Sequence, residues 1–188
     1  MKKKVNNSAQ IILITGSPAV GKFSVGKKLS EKTNIPLFHN HIIIDLAKEL
    51  FPNEKIKAVI REQIFFDLLK FAAKQKHSLI LTYAYAKNYS SGTGLNDVDL
   101  VKRIKKISES HGGLFYSIHL NASHDQILAR TNTLSRKKFH KLKDVNEMKK
   151  LLKEWDVVTP PPFKDCLVID NSRLSAGTVV KKILDQIK

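Results

Sequence analysis

The chain has 188 residues, 42% of them hydrophobic and 27% charged, with a single cysteine. This length sits near that of one domain, and the balance excludes a disordered chain; Cys166 alone cannot form an internal disulfide, which fits a reducing compartment. The net charge of +16 favours polyanionic partners such as nucleotides, phosphorylated metabolites or RNA, the alternative being a lysine-rich solvated surface. No stretch approaches the ~18 apolar residues of a membrane span. The apolar run Ile11–Ile14 is too short for a signal peptide. The sequence therefore predicts one cytoplasmic domain over residues 1–188 with no membrane partner.

The apolar run QIILIT (10–15) predicts a first strand, and a helix follows from about Gly21. Between them Gly16, Gly21 and Lys22 fit G-x-x-x-x-G-K, the Walker A pattern, directly after a strand and opening a helix. Glycines allow positive φ, so that successive N–H groups can turn inward around a phosphate. The helix N-terminus adds its positive end, and Lys22 a mobile cation for outer phosphates. The predicted nucleotide-binding set is Gly16, Ser17, Pro18, Ala19, Val20, Gly21, Lys22, Phe23 and Ser24. Phe23 stands where a magnesium-binding hydroxyl is expected.

Further along, IPLFHN (35–40) reads as a second strand and IIIDLAKELF (42–51) as a helix. After Pro52, Ile56, Val59, Ile60, Ile64, Leu68 and Phe71 recur at helical spacing. HSLILTYAYA (77–86) is a strand too apolar to face water on one side. KNYSSGTGLN (87–96) predicts a mobile loop with Gly92 and Gly94 as hinges. Asn96 caps the next helix, which stops at Gly112–Gly113. LFYSIHLNA (114–122) is the fourth strand, and Ser123 with Gln126 predicts a capping box. A basic segment and another helix precede Trp155. TPPPF (159–163) is a stiff loop, CLVID (166–170) the fifth strand, and the chain closes on a helix. Apolar strands alternating with helices imply a parallel sheet covered on both faces, an α/β fold of three layers with about five parallel strands.

With Ser24 after Phe23, the loop reads G-x-P-x-x-G-K-x-S, which resembles adenylate kinase and related nucleoside monophosphate kinases. The order of strands and helices looks like the wider group of P-loop small-molecule kinases, with shikimate kinase and gluconate kinase as analogues. The stretch GSPAVGKFSVGKKL with IPLFHNHIIIDL also resembles a poorly characterised group of bacterial P-loop ATPases. The resemblance covers nearly the whole chain, and the phosphate loop is its specific part. It implies a nucleotide kinase-like P-loop NTPase fold with a short basic lid at about residues 131–150. It also implies ATP with Mg²⁺ as cofactors, the ion being held mainly by phosphates and water.

In that group the end of the second strand carries acids on the acceptor side. Here His39 and His41 fall at that place, and a histidine near neutral pKa can take a proton from an acceptor hydroxyl. His41 and Asp45 are the rival acceptor-side bases. Arg61 resembles the acceptor-binding arginine of shikimate kinases, its planar fork suiting a carboxylate or phosphate. Tyr83 and Tyr85 fall on one face at the C-terminal end of the third strand, where open α/β sheets bind ligands. Arg130 and Arg136 match the helix and lid arginines of the group, Arg136 over the transferring phosphoryl. Asn171 and Arg173, after the fifth strand, would pass beside the adenine. Cys166 and Trp155 read as packing.

The reaction this implies moves the γ-phosphoryl of ATP to a small molecule or nucleotide. The alternatives are a nucleotide-dependent ATPase or switch without a small acceptor, which Phe23 and the absence of a strand-three acid favour, and a kinase of nucleic-acid ends, which the charge suggests.

Overall fold

The computed structural model of the protein describes residues 8–132 and 144–187. Five strands, β1 (Gln10–Gly16), β2 (Leu37–His39), β3 (Leu79–Thr82), β4 (Leu114–Asn121) and β5 (Leu167–Asp170), form one sheet in the order β2-β3-β1-β4-β5. Every pairing is parallel. Seven described helices connect them: α1 (Lys22–Thr33), α2 (His41–Leu50), α3 (Glu54–Lys74), α4 (Asp97–Glu109), α5 (His124–Thr131), α6 (Val145–Glu154) and α7 (Ala176–Gln186). This is the three-layer α/β architecture read from the alternation of apolar runs and helical stretches.

The layers follow from strand periodicity. Side chains alternate between faces, so Ile11 and Leu13 of β1 pack with Phe65, Leu69, Val101 and Ile104 of α3 and α4. Ile12 and Ile14 turn the other way, onto Val25, Leu29, Val180 and Ile183 of α1 and α7. Because β1 is buried on both faces, it reads as a continuous apolar run rather than an alternating one.

Local signals set the helix ends. Asn53, Asn96, Ser123, Asp144 and Ser175 each accept a backbone N–H of the helix they open. Ser123 takes the N–H of Gln126, the first half of the predicted capping box.

Two expectations change. The helix over 54–74 forms, but Ile56, Val59, Leu68 and Phe71 are exposed, Phe71 at 65%. The buried side is Ala58, Phe65, Phe66, Leu69, Ala72 and Ala73. This helix is apolar over most of its circumference, so periodicity offers two stripes, and packing against β1 and α4 selects the one with the paired phenylalanines. The second change is the loop over 87–96, predicted mobile. It is tied on both sides: Ser91 and Thr93 donate to the Glu62 carboxylate at 2.6 Å each, and Asn88 bonds the backbone of Glu154 and Asp156.

Candidate active site

β1 delivers the chain to the loop between Gly16 and Ser24. Gly16 has φ 131°, and a Cβ there would stand 2.2 Å from the Leu120 carbonyl oxygen of the neighbouring strand. Gly21 has φ 105°, and a Cβ there would meet the Asn171 amide at 2.9 Å. Both positions need glycine for conformation and for space. Between them Ala19 is left-handed as well, at φ 64°.

The loop is clamped from outside. Asn171 donates to the Val20 carbonyl at 2.6 Å. The Arg130 guanidinium donates to Val20 O at 3.4 Å, to Asn171 O at 2.9 Å and to Ser172 O at 3.0 Å. One fork thus joins α5, the turn after β5 and the loop. The Lys22 ammonium folds back onto the same loop, donating to the carbonyls of Gly16 (2.8 Å) and Ser17 (2.6 Å).

Above the loop lies a cavity of about 440 Å³, walled by Lys22, Phe23, His39, His41, Arg130 and Asn171, among others. Phe23, at the position where a hydroxyl is expected, stands half-buried in the cavity wall, 4.7 Å from the His39 ring. His41 meets His39 edge-on at 5.0 Å, so that three rings are in contact. His39 Nδ1 is fixed by the Thr82 hydroxyl at 2.9 Å.

A second, smaller cavity of about 190 Å³ adjoins the first; Pro18, Asn40, Ile44 and Ala84 line both. Its walls are aromatic, from Phe65, Tyr83, Tyr85, Tyr89 and Trp155, with Arg61, Glu62 and Asp97 as charged groups. Asp97, the first residue of α4, is 2% exposed. It accepts from the Tyr83 hydroxyl and from the Ala86 N–H, both at 2.8 Å. Burial pushes its carboxyl up to about 6, while the Ala86 and Tyr83 hydrogen bonds oppose the rise. Burial and then the Asp97 charge raise the Tyr83 phenol well above its ordinary value. The Tyr85 phenol is pushed up to about 12 by burial and then by Asp97.

Behind the loop, the fully buried His119 of β4 sits beside Thr15, its register partner on β1. The Thr15 hydroxyl donates to the Ile118 carbonyl at 3.0 Å and lies 3.0 Å from His119 Nδ1. Burial and then the Lys22 charge lower the His119 pKa to about 4. No pattern in the sequence points to this residue, because His119 reads as one polar position within an apolar strand.

The sequence-predicted residues divide between the cavities. His39, His41, Arg130 and Asn171 line the larger one with the loop, while Arg61 and Tyr83 line the smaller. Asp45 lines neither, and Arg173 is exposed beside the larger one without lining it. Arg136 lies outside the described residues. So does most of the predicted lid; its final part, Val145 to Lys150, opens α6, which packs through the fully buried Met148. Trp155, read as packing, is both packing and cavity wall, 4.6 Å from the Tyr89 ring. Asp97 went unrecognised because an acid in a first helical turn ordinarily complements the helix dipole in solvent.

No protein-family model matches the chain, and no curated protein is significantly similar to it. Solved structures are similar. A kinase candidate from Chloroflexus aurantiacus superposes with a TM-score of 0.69 at 17% identity, over 96% of this chain and 100% of that one. A gluconokinase from Sinorhizobium meliloti gives 0.61 at 12% identity, over 95% and 90%. A shikimate kinase from Bacteroides thetaiotaomicron gives 0.58 at 15% identity, over 94% and 97%. The chain has the P-loop kinase fold of these neighbours.

Proposed function

We propose that the protein is an ATP-dependent phosphotransferase that moves the γ-phosphoryl of ATP to a small-molecule acceptor. The observation that carries this reading is the pair of cavities: a larger one over a glycine loop and a helix N-terminus, and a smaller one sharing four wall residues with it. A donor in the first and an acceptor in the second would meet at Pro18, Asn40, Ile44 and Ala84. The names of the neighbouring gluconokinase and shikimate kinase support the same reaction class.

The roles follow from position. Lys22 would exchange its two loop carbonyls for phosphate oxygens, adding a mobile charge to the N–H groups of the loop. Arg130 and Asn171 hold that loop to the turn after β5, which would flank the base. His41 is the better placed proton acceptor of the two candidates, since it walls the donor cavity one residue from the shared Asn40 and Asp45 walls neither cavity. Arg136 would act from the lid on the charge of the moving phosphoryl.

Among the described residues no group of three or more His, Cys, Asp or Glu is arranged to hold a metal ion, and Phe23 offers no hydroxyl. The described residues thus offer no cluster of acids for magnesium. Mg²⁺ would fit as an ion carried mainly on the nucleotide phosphates and water, as that cation commonly is.

The test is transfer of label from γ-labelled ATP to a pool of small hydroxylated metabolites, with Lys22→Ala as control. Label should move to one chemical class of acceptor and stay on ATP in the folded variant. ATP hydrolysis unaffected by any acceptor would favour the switch reading instead.

A further inference from the structure

The smaller cavity differs in charge from the rest of this cationic molecule. Among the described residues, the Arg61 guanidinium stands in its wall against two carboxyl groups, Glu62 and Asp97. The arginine is not devoted to the cavity. Glu54, two turns earlier on α3, has a carboxyl held down chiefly by Lys57 and also by Arg61. The two phenols report the local field. After burial, the charges that raise Tyr83 include Asp97 and Glu62, and those that raise Tyr85 include Asp97 and Asp156. Beyond its charge, the wall contains a buried polar group left over. Tyr85 is 1% exposed, and its hydroxyl has no hydrogen-bond partner among the described residues.

Resting on the kinase reading, we propose that the acceptor is a small hydroxylated molecule bearing a protonated amine, its ammonium group seated among the aromatic walls against Glu62 and Asp97. An ammonium is attracted by the faces of aromatic rings and by carboxylates, and all of these converge in this space. It also supplies donors, which a phenol oxygen with no partner can accept. A carboxylated or phosphorylated acceptor would instead bring an anion to two carboxylates and one shared guanidinium, which is repulsive on balance. At about 190 Å³ the cavity is below the ~300–1,000 Å³ usual for drug-sized ligands, so the acceptor is compact.

The charge preference can be measured without phosphotransfer. Benzylammonium, benzyl alcohol and benzoate share one ring and differ in charge, and each is titrated calorimetrically against the full chain. Benzylammonium should bind at least fivefold more tightly than either of the others, and Glu62→Gln should remove most of that margin. Because Glu62 also anchors Ser91 and Thr93, Arg61→Gln provides a second arm that leaves those bonds in place. It should strengthen benzylammonium and weaken benzoate. Benzoate binding as well as the amine, no heat from any of the three, or an amine margin indifferent to both substitutions would overturn the proposal. ATP titrated into the same samples reports on the kinase reading separately: a chain that prefers the amine and fails to bind ATP would sink that reading and leave the charge preference standing.

Discussion

At the scale of single residues, the loop makes sharp demands. Among the described residues, Lys22 is the only lysine in the wall of the larger cavity. Lys22→Ala should weaken ATP binding or turnover at least tenfold, about 1.4 kcal/mol, with the melting temperature nearly unchanged. Gly16 tolerates no side chain, since its Cβ would press on a backbone oxygen that cannot swing aside. Gly16→Ala should therefore cost about 1–3 kcal/mol of stability by overpacking, read from urea melts. Phe23 is the instructive case. A ring in the core would cost ~3–5 kcal/mol to truncate. A half-buried ring set at a tilt against His39 should cost much less, about 1 kcal/mol. Phe23→Ser destabilising by more than 3 kcal/mol would contradict its place in the cavity wall. The sequence shows Phe23 as a departure from the hydroxyl pattern; its partner His39 comes from another strand and is visible only once β2 and α1 are side by side.

At the scale of elements, the loop depends on two distant ones. Arg130 from α5 and Asn171 after β5 both reach the Val20 carbonyl, and Arg130 spans two further carbonyls with a single planar fork. A lysine presents one point charge and cannot reproduce that geometry. Arg130→Lys should thus behave like Arg130→Ala, lowering both the melting temperature and ATP affinity, whereas rescue by lysine would mean that only charge matters. Asn171→Ala leaves the Val20 carbonyl with one fewer donor and should cost about 1–3 kcal/mol. The sequence places both residues after strands at the ligand-binding edge of the sheet. Their joint grip on the loop arises from tertiary pairing across more than a hundred residues.

At the scale of the whole molecule, two buried groups set opposing responses to acid. His119, near 4 in the folded chain and about 6.5 unfolded, is held neutral by the fold. Its stability contribution is complete above pH 6.5 and is lost as pH falls from there towards 4, up to about 3 kcal/mol. Asp97 has the opposite sign. Its carboxyl titrates near 6 when folded and near 3.8 unfolded, so folding favours its protonated form. Its contribution is complete below 3.8 and is lost as pH rises through 6. Between pH 6.5 and 4.5 the two should largely cancel, leaving urea-melt stability nearly flat. Asp97→Asn should expose the histidine and make stability fall on acidification through this window; His119→Gln should make it rise. Identical pH slopes in all three proteins would show that neither group is perturbed as described.

What the sequence determined by itself was the order of the elements and the glycine positions of the loop after β1, because both depend on interactions within a few residues. The apolar run of β1 marked a strand covered on both sides, and Gly16 and Gly21 marked the positions that need positive φ. The caps at Asn96 and Ser123 were legible for the same reason. Tertiary structure alone decided which apolar stripe of α3 is buried, since the sequence offers two and only the shape of the sheet chooses between them. It also decided that His39 and His41 wall one cavity while Tyr83 joins Arg61 of α3 in the wall of another, although His39, His41 and Tyr83 all sit at strand ends on the same edge of the sheet. Last, it turned Asp97 from a first-turn acid into a buried clamp on Tyr83 and Ala86. A carboxylate's environment is set by what packs over it, and those residues are brought there by the crossover from β3 to α4.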